Sequence, residues 1–288
     1  MPTATELLVA RAESLRRRVH NLLERSAVKH VNPVQGALVF IGPTGSWQPH
    51  DIEGQRLQSE ILEDYGRLYE TIAVLARGQS EAVRSDLEEE SKTFRELVEQ
   101  TSGTWFKTPD EARARADRAL DEHLALLERL HDRGAGDPVY VPDTNALLAQ
   151  PNLEKWTFTD AGSFEIVLVP SILVELDELK INHRNEVVRE KAEGLIRRMK
   201  GYRGRGQLTK GVPLRNTVST IRALATEPRM GESLPWLDPQ NRDDKFLASV
   251  IEIIRQHPRS PVTIVTLDIN MQNKAEMASL PFVEPPSE

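Results

Sequence analysis

The chain contains no cysteine. That absence excludes disulfides, thiolate zinc sites, iron–sulfur clusters and a cysteine nucleophile, so any bound metal must be held by oxygen or imidazole. It also lacks any uncharged apolar run near the roughly 18 residues that a membrane-spanning helix requires. The first apolar residues are broken by Glu6, Arg11, Glu13 and Arg16, unlike a secretory leader. These absences lead us to expect a soluble, cytoplasmic protein with no membrane partner. Basic charge is not in excess: 37 Lys and Arg stand against 44 Asp and Glu, for a net charge of −7. That balance argues against a protein coated in nucleic acid, although a local basic patch can survive inside a negative total. A phosphate loop is missing too. Gly42-Pro43-Thr44-Gly45-Ser46 is not followed by Gly-Lys-Ser/Thr at the required spacing and reads as a turn.

What is present divides into two halves. The 288 residues leave room for about two domains, and 39% hydrophobic with 28% charged residues is a globular composition. Residues 1–133 read as an all-α, bundle-like domain of charged amphipathic helices over about 3–26, 51–77, 80–100 and 108–133. The last opens on Thr108-Pro109-Asp110-Glu111, which has a Thr cap, Pro at the first helical position and a Glu placed for a capping box. Arg16-Arg17-Arg18 reads as a solvated face. His20, His30, His50, His123 and His131 share no metal-ligand spacing and read as surface or satisfied histidines. This half is expected to oligomerise, position RNA or dock a protein partner.

Gly134–Pro138 reads as a linker. After it, apolar runs at Val139–Val141, Glu165–Pro170 and Pro261–Leu267 alternate with helical patterns over about 171–181, 186–200, 243–256 and 271–279. Pro281-Phe282-Val283 reads as a last short strand, and 285–288 as a tail. Strands alternating with helices imply an α/β domain over 139–284, with a central parallel sheet between two helical layers.

The acids fall in telling places. In an open parallel sheet the site lies beyond the carboxyl ends of the strands. Asp143 follows the first strand and Asp268 the third, Glu175 lies a turn into the helix after the second, and Asp243 and Asp244 open a further helix. Each has an ordinary alternative: Asp143 and Asp268 as helix caps, Glu175 as part of a solvated face, Asp243 and Asp244 as first-turn acids. Together at one rim they repel one another and call for a cation. With oxygen donors only, that cation is Mg²⁺ or Mn²⁺ rather than zinc, one or two ions that activate a water for phosphodiester hydrolysis.

These segments resemble a known family. Val141-Pro142-Asp143-Thr144-Asn145-Ala146-Leu147-Leu148, the stretch Val169–Lys180 containing Glu175, Asp243-Asp244-Lys245-Phe246-Leu247-Ala248, and Val265–Ala275 containing Asp268 resemble the four motifs of PIN domains in order and spacing. The version here is most similar to the PIN domains linked to PhoH-type ATPases and to eukaryotic RNA-decay endonucleases. The resemblance covers about 138–284 and does not reach the first half. It implies a Mg²⁺- or Mn²⁺-dependent endoribonuclease acting on single-stranded RNA. The metal ligands and catalytic acids it implies are Asp143, Glu175, Asp244 and Asp268, with Asp243 as a further candidate, and Asn145 and Thr266 organise the site. Two other readings stay open: a non-catalytic RNA- or protein-binding scaffold, and a flap-type DNA nuclease.

RNA approaching such a site needs cations nearby. Residues 184–215 hold ten basic residues (Arg184, Arg189, Lys191, Arg197, Arg198, Lys200, Arg203, Arg205, Lys210 and Arg215) against three acidic ones. Lys200–Gln207 adds glycines and Tyr202, an aromatic expected to stack on a base.

Overall fold

The computed structural model describes residues 2–30, 45–101, 103–104, 106–130, 136–158, 162–214 and 218–286. Gly42 to Thr44, Trp105, His131, Gly134 and Arg215 therefore lie outside the described residues. The chain divides into two compact units, residues 8–130 and residues 131–288 together with the first seven.

The first unit is helical, as its periodicity predicts. It is built from α1 (Ala4–Glu24) from Leu8 onward, α2 (Ile52–Leu75), α3 (Glu81–Glu99) and α4 (Pro109–Leu130). Leu8, Leu15, Val19, Leu22 and Leu23 recur at helical spacing and are all buried, as are Ile61, Tyr65, Leu68 and Ile72 of α2. Asp51 and Ser80 cap α2 and α3 by accepting from the amides of Gly54 (2.7 Å) and Val83 (3.4 Å). Thr108 accepts from the Glu111 amide, while the Glu111 carboxylate accepts from Lys107 rather than closing the box on Thr108 itself.

Two readings of this half change. Arg16 and Arg18 do not simply face solvent: Arg16 pairs with Asp117 and Asp121 of α4, and Arg18 with Asp64 of α2. Three short strands also appear that helical periodicity cannot reveal, β1 (Val28–His30), β2 (Gly45–Trp47) and β3 (Gly103–Thr104), paired antiparallel in the order β1-β2-β3. Of the histidines, His20 pairs with Asp117, His50 lies 3.4 Å from the Ser26 hydroxyl, and buried His123 lies 3.0 Å from the Tyr65 hydroxyl.

The second unit is built on β4 (Val139–Pro142), β5 (Glu165–Leu168), β6 (Val212–Pro213), β7 (Thr220–Ala223), β8 (Val262–Val265) and β9 (Phe282–Val283). Their order in the sheet is β6-β7-β5-β4-β8-β9. All neighbours run parallel except β6 and β7, an antiparallel edge. Val139–Pro142 and Val262–Val265 are buried at every residue, which explains why they read as unbroken apolar runs. Arg222 on β7 grips Glu165 on β5 through two hydrogen bonds, of 2.9 and 3.2 Å, a diagonal tie across adjacent strands whose register sets Glu165 beside Thr220 and Arg222 beside Val167.

The helices are α5 (Thr144–Ala149), α6 (Pro170–Asn182), α7 (Glu186–Arg203), α8 (Arg242–Gln256) and α9 (Ile269–Met277). α7 continues through Gly201 and Tyr202, past the helix end expected near residue 200, and ends at Arg203. From β4 the chain steps outward to β5 and then β7, and afterwards returns to β8 on the other side of β4. Because such crossovers are right-handed, reversing direction places successive helices on opposite faces of the sheet. The reversal opens a crevice at the carboxyl ends of β4 and β8, the place where open α/β sheets bind ligands.

Candidate active site

Asp143 and Asp268 leave the ends of neighbouring strands at that crevice, and both cap helices. Asp143 Oδ1 accepts from the Ala146 amide at 2.7 Å and starts α5; Asp268 Oδ1 accepts from the amides of Asn270 (2.8 Å) and Met271 (3.4 Å) and starts α9. The capping role and a place in the acidic cluster thus coexist. Thr266, fully buried, links the two acids. Its hydroxyl donates to Asp143 Oδ2 and accepts from the Asp268 amide at 2.9 Å.

Glu175 reaches in from the second turn of α6, where the Thr144 hydroxyl donates to its Oε2 at 2.6 Å. Thr144, one residue past Asp143, thereby positions Glu175, and its place between Asp143 and Asn145 is its sign in the sequence. Asp143, Thr144, Asn145, Ser171, Glu175, Arg242, Asp243 and Asp268 line one cleft of about 110 Å³, with Ile172, Phe246 and Met271 as its apolar walls.

The two adjacent acids of α8 part company. Asn241 caps the helix by accepting from the amides of Asp243 and Asp244. Asp243 lines the cleft, half-buried, with Asn270 Nδ2 at 3.4 Å from its Oδ2. Asp244 is buried away from it, its Oδ1 accepting from Lys274 Nζ at 2.7 Å and its Oδ2 from the Asp238 amide at 2.9 Å. The motif register expects Asp244 in the cleft; the geometry places Asp243 there.

Burial pushes the Asp143 carboxyl up to about 6, with repulsion from Asp268 and Glu175 adding to the rise, while the Thr266 and Ala146 hydrogen bonds oppose it. A hard divalent cation suits this set. Every acidic donor is a carboxylate oxygen, the carboxylates press on one another, and the nearby ammonium of Lys274 is engaged by Asp244. Among the described residues no three acids converge into a ready-made cage. They face a shared space rather than a single point.

A family model for the PIN domain matches residues 140–284, half of the chain. The chain belongs to the PIN-domain family. The match takes in Asp143, the helix that carries Glu175, both α8 acids and Asp268, and PIN domains are generally nucleases that use divalent metals and commonly bind nucleic acid. No curated protein matches the sequence. The first half has no family match. Among the described residues no helix is long and apolar enough to cross a membrane.

The basic segment of this PIN domain is only partly as expected. Arg184, Lys200, Arg203 and Lys210 are exposed. Arg189 is engaged by the carbonyls of His183 and Arg184, Arg197 by Glu193, Arg198 by Asn152, and Arg205 by Glu154. Tyr202 does not offer a stacking face. Its ring is buried against the unit, and the Arg205 guanidinium sits over it 4.8 Å from the centroid. The extra helical turn at the end of α7 causes this, because it turns residue 202 onto the same buried stripe as Leu195 and Met199.

Proposed function

We propose that this PIN domain is an endoribonuclease that hydrolyses phosphodiester bonds of single-stranded RNA with one or two Mg²⁺ or Mn²⁺ ions. One observation carries the reading: carboxylates from four separate chain segments line a single cleft at the sheet's switch point. Asp143, Glu175, Asp243 and Asp268 would hold the metal. Such an ion, when bound, activates water for attack on phosphorus and offsets charge on the departing oxygen.

The protein's own groups prepare that chemistry. Thr266 fixes the Asp143 carboxylate and aligns the Asp268 backbone, Thr144 holds Glu175 toward the cleft, and Asn270 steadies Asp243. Asn145 lines the mouth as an exposed amide. Asp244 serves by fixing Lys274 of α9 to the start of α8. Exposed Arg184, Lys200, Arg203 and Lys210 supply phosphate contacts along the strand, with Arg189, Arg197, Arg198 and Arg205 adding positive field around them.

The test is cleavage of an unstructured RNA oligonucleotide in Mn²⁺, with and without excess chelator, by the wild type, Asp143→Asn and Asp268→Asn. Internal cuts that need metal and vanish in both variants are expected. Cutting that persists in both would refute the site, binding without cutting would favour a scaffold, and preference for a DNA flap would favour the flap-nuclease reading.

A further inference from the structure

The cleft poses an electrostatic problem for its substrate. Four carboxylates line it, and a phosphodiester brings a further negative charge. Among the described residues that line it, Arg242 is the sole cation. It is the first residue of α8, next to Asp243, and its guanidinium forms a two-pronged bridge to Glu178 of α6, with NH1 at 2.6 Å from Oε2 and NH2 at 2.8 Å from Oε1. The side chains of both partners are about half exposed, 51% and 47%. The fork is firmer than a single-pronged surface pair, but with both side chains half exposed, water and other anions compete for the guanidinium and the bridge can exchange. A phosphate presents the same paired oxygens to a guanidinium fork that Glu178 does.

A second observation lies on the α6 side of the same cleft. Ser171 lines it, is 93% buried at 7% exposure, and its hydroxyl has no hydrogen-bond partner. A buried unpaired hydroxyl is costly and calls for an explanation. Ser171 stands in the first turn of α6, a 13-residue helix whose cap position, Val169, has no side-chain cap. Pro170 opens the helix without an N–H and the Ile172 amide is taken by the Val169 carbonyl at 3.2 Å, so it is the positive end of the helix dipole that favours an anion there.

We propose that this flank of the cleft is an anion subsite that receives a phosphate of the nucleic-acid strand. Arg242 exchanges Glu178 for the phosphate, and Ser171 donates to it from the start of α6. Glu178 acts as a placeholder that keeps the guanidinium poised over the cleft in the absence of substrate. The carboxylates then hold the metal while Arg242 and Ser171 take the phosphate, so each charge meets its opposite within one cleft. This inference rests on the nuclease reading for its substrate, and its test separates the two.

The experiment uses the full chain and a fluorescein-labelled single-stranded RNA oligonucleotide. Steady-state cleavage in Mn²⁺ is compared for the wild type, Arg242→Ala, Arg242→Lys, Glu178→Gln and Ser171→Ala. Arg242→Ala should raise KM about tenfold or more with kcat little changed, and Arg242→Lys should recover part of that loss. Glu178→Gln should move KM the opposite way, downward, because it removes the competing carboxylate. Ser171→Ala should raise KM by a smaller factor. Anisotropy binding of the same oligonucleotide to Asp143→Asn and to Asp143→Asn/Arg242→Ala provides a readout that does not depend on cleavage. Unchanged affinity in the double variant would overturn the subsite, as would a Glu178→Gln effect in the same direction as Arg242→Ala, which would mark a merely structural bridge. Wild type that binds in an Arg242-dependent manner yet never cuts would sink the nuclease reading and leave the subsite standing.

Discussion

Lys274 Nζ lies 2.7 Å from Asp244 Oδ1 and 3.8 Å from Asp243 Oδ2, so one ammonium distinguishes two neighbouring acids by how deeply each is buried. Asp244 is the structural partner, with 8% of its side chain exposed, and Asp243 the one left facing the cleft, with 44%. Substituting them separately should therefore give opposite phenotypes. Asp243→Asn is expected to abolish metal-dependent cleavage while leaving the melting temperature near that of the wild type. Asp244→Ala strands a partly buried ammonium and should cost about 1–3 kcal/mol of stability, less than breaking a fully buried pair because 19% of the Lys274 side chain is exposed. Thermal melts beside cleavage assays check both; equal melting of the two variants would contradict the division.

Asp143 carries its charge at a cost to the fold. Its carboxyl is raised from 3.8 to about 6, so the native state holds its proton more tightly than the unfolded chain does. In metal-free protein, stability from this group must then fall as pH rises from about 4 through about 6. Asp143→Asn removes that penalty. It should stabilise the metal-free protein at pH 7 by about 1–3 kcal/mol while ending cleavage, and should flatten the pH slope in this window. Urea titrations at pH 4.5 and 7 in chelator would show this, and a destabilised Asn variant would refute it.

His123 makes the opposite linkage in the helical unit. Burial lowers it from 6.5 to about 4, so the unfolded chain binds the proton first. Its contribution is intact above about 6.5 and is lost as pH falls toward about 4. The α2–α4 contact at Tyr65 should weaken across that range, and His123→Gln should show a shallower acid slope. Circular dichroism melts between pH 4.5 and 7.5 measure it.

If the exposed cations near the end of α7 hold RNA through phosphates, the triple change of Lys200, Arg203 and Lys210 to Gln should weaken binding without altering metal affinity. Each lost contact should reduce the slope of log affinity against log salt by about 0.7, the value for single strands. Anisotropy titrations at three salt concentrations test this, and an unchanged slope would remove the segment from the interface.

Much of this fold is legible in the chain because buried parallel strands leave runs such as Val139-Tyr140-Val141 and Ile166-Val167-Leu168, and because acids at their ends have few reasons to gather. β6 and β7 escape notice for physical reasons. Val212-Pro213 is too short to carry a period, and Arg222 hides a charge inside β7 by pairing with Glu165. The α8 register is ambiguous in sequence because Phe246 and Leu247 are both buried, so an acid three residues before either fits an inward stripe. Phe246 and Asp243, three residues apart, both line the cleft. Tyr202 misleads because glycines at 201 and 204 suggest a loop, while packing of α7 carries the helix through the first of them.

The double duty of Asp143 and Asp268 bears on how this chain would age in descent. Both are helix caps, so folding alone would keep Asp, Asn, Ser or Thr at these positions in a descendant that no longer cut anything. Glu175 and Asp243 cap no helix. They are the places where loss of the chemistry would first be written, and in any homologue their replacement is the informative sign.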